Sequence, residues 1–90
     1  MEPLDTRVIT QLRKMAIDRC AISDMVRSVQ FGHGPVEVMR YFRDAFFLSF
    51  AEAKPILDWL AYEQNEQADS SLQQLIEPRI EWQRSRWQHQ

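Results

Sequence analysis

Apolar positions recur every three or four residues along most of the chain. Nowhere do they alternate with polar ones as a half-buried strand would require. Near the N-terminus Val8, Leu12, Met15, Ile22, Val26 and Val29 keep helical spacing, and Arg19 breaks the stripe. No glycine or proline lies between Thr6 and Phe31, so this stretch is one long helix or two joined near Asp18–Ala21. The break at Arg19 favours two, because a short chain must fold back on itself to bury a core. Asp5 or Thr6 can cap the start.

The segment FGHGP, Phe31 to Pro35, is the strongest punctuation. Gly32 suits a left-handed position after a helix, and Pro35 suits the first turn of the next. From Pro35 to Phe47, the residues Val38, Met39, Phe42 and Phe46 share a face, while Glu37, Arg40 and Asp44 point elsewhere. Ser49 and Glu52 then form an S-x-x-E capping box, worth about 1 kcal/mol. The helix that follows is expected to bury Phe50, Ala53, Ile56, Leu57 and Leu60. Pro55 would leave the Ala51 carbonyl without its helical donor, in the first turn where bending is cheapest. A bend near Ala51–Pro55 is expected, or else a fresh helix beginning at Pro55.

The polar stretch EQNEQADSS, Glu63 to Ser71, reads as a connector, with Asp69 or Ser70 as the next cap. Leu72, Leu75 and Ile76 make a short apolar face that Pro78 interrupts. The tail RIEWQRSRWQHQ then either forms a last helix with Pro78 in its first turn or frays. Together these elements predict an all-α fold: a compact bundle of four or five short helices around a central helix-turn-helix, residues 35–47 and 49–62. The chain reads as one domain, 1–90, with 78–90 frayed or separately docked.

Composition narrows the functional classes. A chain of 90 residues, 44% hydrophobic and 27% charged, is ordinary for a small globular domain. Formal charge is −2, which gives no general attraction to nucleic acid or anionic lipid. The charge is uneven: residues 32–69 are acidic and both flanks mildly basic. Cys20 is the only cysteine, so no internal disulfide forms and a reducing cytoplasm is the expected setting. The N-terminus lacks a secretory pattern, and the longest apolar run, AFFL, is far too short to span a bilayer.

Residues Val38 to Asp58, VMRYFRDAFFLSFAEAKPILD, resemble the helix-turn-helix of the bacterial ribosomal stalk protein's C-terminal domain. Met39, Arg40, Phe42, Arg43, Leu48, Phe50, Glu52, Ala53, Lys54, Ile56 and Leu57 fit the family pattern, about a quarter of the chain. Phe46 and Phe47 stand where that pattern has threonine and glycine. In the stalk family this turn contacts translational GTPases through basic positions. The resemblance implies a protein-docking face at Arg40, Arg43 and Lys54.

Catalytic chemistry finds little support. Cys20 fits a small half-buried hydrophobe better than a nucleophile. His33 fits an exposed turn, and His89 a solvated end. These three residues lack metal-ligand spacing, and no phosphate-cradling loop is present, so neither a metal nor a cofactor is expected. A DNA-reading role for the second helix of the pair is disfavoured by Glu52, Asp58 and Glu63, which would face phosphates.

Aromatic residues are more abundant than one stripe per helix can hide: Phe31, Tyr41, Phe46, Phe47, Trp59, Tyr62, Trp82 and Trp87. They either cap the core or form a contact surface with a partner or a second copy of the chain. The function expected is a non-enzymatic protein-binding module that inhibits or tunes its partner, of the immunity-protein, inhibitor or adaptor type. Its contacts would be Arg40, Arg43, Lys54 and Trp59, with Trp82 and Trp87 as a second group. The alternative is a nucleic-acid-associated regulator using the tail, where Arg79, Arg84 and Arg86 interleave with Trp82 and Trp87.

Overall fold

Asp5 starts the first helix, α1 (Thr6–Ile17), by accepting the Arg7 backbone N–H at 2.9 Å. The computed structural model describes residues 4–61 and 65–88, together with every side chain in them except those of Trp87 and Gln88. The expectations placed on Tyr62, Glu63, His89 and the Trp87 side chain therefore lie outside the described residues.

α1 ends through a full Schellman motif. Arg19 sits in the left-handed region at φ 60°, its N–H reaches the Ala16 carbonyl at 3.1 Å, and the Cys20 N–H reaches Met15 at 3.0 Å. The two-helix expectation thus holds, and α2 (Ile22–Gln30) follows at once. Its N-cap, Ala21, has no side chain that could accept a bond. Gln73, 51 residues on, supplies the acceptor instead, taking the Ile22 N–H at 2.8 Å. At the far end of α2, Gly32 is not left-handed as expected. The helix closes with three-residue turns, the Gly32 N–H to Val29 and the His33 N–H to Gln30, which need no positive φ.

α3 (Pro35–Phe46) opens with Pro35 in its first turn and buries Val38, Met39, Phe42 and Phe46, together with Tyr41 and Ala45. The Tyr41 hydroxyl accepts the Asp5 N–H at 3.0 Å, tying the start of α1 to α3. α4 (Phe50–Ala61) carries the expected capping box in both directions: the Glu52 N–H to Ser49 Oγ at 3.1 Å, and the Ser49 N–H to Glu52 Oε1 at 2.9 Å. The helix runs unbroken through Pro55.

The last helix departs furthest from expectation. α5 (Glu66–Gln88) is continuous over 23 residues, with Pro78 inside it. It begins earlier than Asp69, because the Asn65 side chain accepts the Ala68 N–H at 2.8 Å and does the capping. Gln74, whose carbonyl Pro78 deprives of a donor, is exposed, so water can satisfy that oxygen and the helix is not forced to break.

All five helices contribute to one core, among them Leu12 from α1, Ile22 and Val26 from α2, Phe42 and Phe46 from α3, Ile56 from α4, and Ile76 and Ile80 from α5. The Cα radius of gyration of 12.3 Å matches the value of about 12 Å expected for a compact chain of this length. The protein is a small all-α bundle. Among the described residues, no helix is long and apolar enough to cross a membrane.

Candidate protein-docking surface

The turn between α3 and α4 gathers the most unusual features of the surface. α3 ends with Phe47 in the left-handed region, φ 55° and ψ 43°, and the Leu48 N–H reaches back to the Arg43 carbonyl at 3.1 Å. A side chain in this conformation costs about 1–2 kcal/mol relative to glycine. The Phe47 ring does not recover that cost by burial, since the residue is 67% exposed. Three residues on, Phe50 is also exposed, although the sequence pattern placed it in the core. α4 instead turns Ala53, Ile56 and Trp59 inward and Phe50 out.

One guanidinium closes the end of α3 and a second braces the turn that follows it. Arg13 donates from Nε to the Ala45 carbonyl at 3.0 Å, and Arg43 donates from Nε to the Leu48 carbonyl at 3.3 Å. Cations are favoured at a helix C-terminus, where carbonyls lack donors. The Arg13 guanidinium also lies 5.6 Å from the centre of the Phe47 ring. Along α3, Val36, Arg40, Arg43 and Phe47 are spaced to form one strip, and none of the four is buried. Arg40, Arg43 and Lys54 have no carboxylate partner among the described residues, whereas Arg7, Arg19, Arg27, Arg79 and Arg84 are each ion-paired.

Several residues assigned to contacts by sequence turn out to be structural. Trp59 is only 4% exposed and cannot be the centre of an interface. Its Nε1–H donates to Asp69 Oδ1 at 2.7 Å, and Arg27 stacks on its ring at 5.1 Å while pairing with Asp69 Oδ2 at 3.2 Å. Arg84, proposed for nucleic acid, is 1% exposed. It donates from Nε to the Ala16 carbonyl at 2.7 Å and pairs with both Glu77 and Glu81. Arg79 is bridged to Glu52. Among the described residues, Arg86 is the tail cation that faces solvent without an acid, stacked 4.8 Å from the exposed Trp82 ring.

His33 is held more firmly than a turn residue need be. Its Nδ1 lies 2.9 Å from Glu37 Oε2, and its ring meets Tyr41 edge-on at 5.0 Å. Cys20 is half-buried. Among the described residues, no group of three or more acidic, histidine or cysteine side chains could hold a metal ion.

The left-handed Phe47 escaped the hydrophobic pattern. Its one sequence signal was the glycine that the stalk-type pattern carries at that position. Compared with known proteins, the chain matches no family model, no curated protein and no solved structure.

Proposed function

We propose that the protein is a non-enzymatic binding module that docks on another protein through the α3–α4 turn and inhibits or tunes it. The observation that carries this reading is Phe47, which is exposed and held in a backbone conformation that glycine would adopt at lower cost. Arg19 adopts the same conformation at the end of α1; what sets Phe47 apart is a large apolar ring left in solvent at such a position. The helices flanking the turn add a second exposed ring, Phe50, and three cations, Arg40, Arg43 and Lys54, that have no carboxylate partner among the described residues. The complementary partner is a protein with an apolar pocket rimmed by acidic side chains, the cations setting orientation and the rings supplying burial. The resemblance of residues 38–58 to the stalk protein's helix-turn-helix, where the same turn is a docking surface, supports this reading. A nucleic-acid role for the tail loses support, since Arg84 is buried and Arg79, though exposed, is bridged to Glu52.

Affinity capture from the native host, comparing the natural chain with Phe47→Gly, Phe50→Ser and Arg43→Glu, provides the test. A specific protein partner is expected with the natural chain and is expected to be lost with each variant. A partner retained equally by all three variants overturns the assignment of the turn. Recovery of nucleic acid alone overturns the protein-binding reading.

A further inference from the structure

A second surface lies on α5, remote in sequence from the α3–α4 turn. Ser71, Leu75, Pro78, Trp82 and Arg86 follow one another at steps of four, three, four and four residues, so they occupy one face of the helix. All five are exposed, Leu75 and Trp82 each to 59%. The strip runs for about 22 Å along the helix. At its N-terminal end it opens into a groove of about 230 Å³ between α4 and α5, lined by Pro55, Asp58, Trp59, Ser71, Leu72 and Leu75. Among the described residues the Asp58 side chain, which lines the groove, has no ion pair or hydrogen bond, and Arg86 at the far end of the strip has no carboxylate partner.

We propose that this face binds a second copy of the chain, with the two α5 helices antiparallel about a two-fold axis passing between Pro78 and Arg79. The sequence is self-complementary about that point. Leu75 and Trp82 are equidistant from it, so each copy's Trp82 meets the other's Leu75 beside the groove. Ser71 and Arg86 are likewise equidistant, and Ser71 shares the groove with Asp58. Each Arg86 therefore arrives at the other copy's Asp58, with opposite charge. An isologous interface requires this reciprocity, in which one patch supplies both the knob and the socket. Pro78 at the axis presents a compact ring, which lets the helices approach closely.

Sedimentation and light scattering on the full chain test the proposal, with circular dichroism to verify the fold of each variant. A dimer is expected, converting to monomer in Trp82→Glu and Leu75→Glu. Asp58→Arg or Arg86→Asp alone is expected to weaken association about 10-fold or more, and the double reversal to restore most of it. A chain that stays monomeric on concentration overturns the proposal. So does a dimer indifferent to Leu75 and Trp82, a double reversal that recovers nothing, or a dimer lost only on Phe47→Gly. The last result would move self-association to the α3–α4 turn.

Discussion

The Nε of Arg84, near the end of α5, donates to the carbonyl of Ala16, 68 residues earlier, at 2.7 Å. That carbonyl belongs to the Schellman turn ending α1, so one side chain ties the last helix to the close of the first. The same guanidinium pairs with Glu77 and Glu81 on its own helix, which neutralises a charge that burial would otherwise make costly. Glu77 and Glu81 are both partly exposed and can rehydrate if Arg84 is removed. Arg84→Met, which keeps the volume, is therefore expected to cost about 2–3 kcal/mol, the worth of the charge-assisted bonds lost. Arg84→Lys is expected to recover little, since an ammonium group cannot span the carbonyl and both carboxylates as a planar fork does. Urea denaturation of the three proteins measures both effects.

Trp59 and Asp69 make the corresponding tie between α4 and α5. With Asp69→Ala the buried indole N–H is left without its acceptor, at a cost of about 1–3 kcal/mol. Asp69→Asn keeps an acceptor and loses only the partly exposed pair with Arg27, so it is expected to cost less than about 1 kcal/mol. Denaturation followed by tryptophan fluorescence separates the two. Equal losses would show that the ion pair, not the indole bond, dominates.

Features set by neighbours in the chain were legible in the sequence. The Ser49–Glu52 box, Pro35 in a first turn and the break after Ile17 all depend on spacings of a few residues, and all are present. Features set by distant partners were not legible. Trp59 faces inward because Asp69 waits on the next helix, and Arg84 is buried because Ala16, Glu77 and Glu81 converge on it. An amphipathic pattern counts arginine as solvent-facing and sees neither partner. Pro78 misled as well: proline costs a helix one bond and a clash with the carbonyl four residues back, yet α5 continues through it, packed on the core through Leu72, Ile76 and Ile80. Of the proposed docking surface, Arg40, Arg43 and Lys54 came from the resemblance of residues 38–58 to the stalk-type turn. Phe47 stood among the aromatics too many to hide, whereas Phe50 was expected in the core and is exposed.

The acid limb of stability depends in part on the α4 cap. Hydrogen bonds from Ser49 hold the Glu52 carboxyl below its ordinary range, helped by the nearby Arg79 guanidinium. Asp5 is lowered in the same way, chiefly by the Arg7 side chain. With a folded-state pKa below the unfolded one, each group's contribution is fully present above the unfolded value and is lost as pH falls through the folded one. Denaturation midpoints are therefore expected to fall as pH drops below the ordinary carboxylate range. Glu52→Gln retains the capping geometry but not the charge, and is expected to show a shallower fall over that window. An identical slope in the two proteins would assign the acid sensitivity to other carboxyls.

Phe47 offers the sharpest test of the link between strain and docking. In a helix interior, alanine outperforms glycine by about 1 kcal/mol, but at a left-handed position the order reverses. Phe47→Gly is therefore expected to be more stable than Phe47→Ala by about 1 kcal/mol, and to equal or exceed the natural chain once the modest Arg13 stacking is discounted. Thermal or urea denaturation reads this directly. If the ring serves only the fold, the glycine variant should lose stability and keep its partner. A chain that becomes more stable and yet fails to bind would show that the natural residue is kept for contact, at the expense of the turn it sits in.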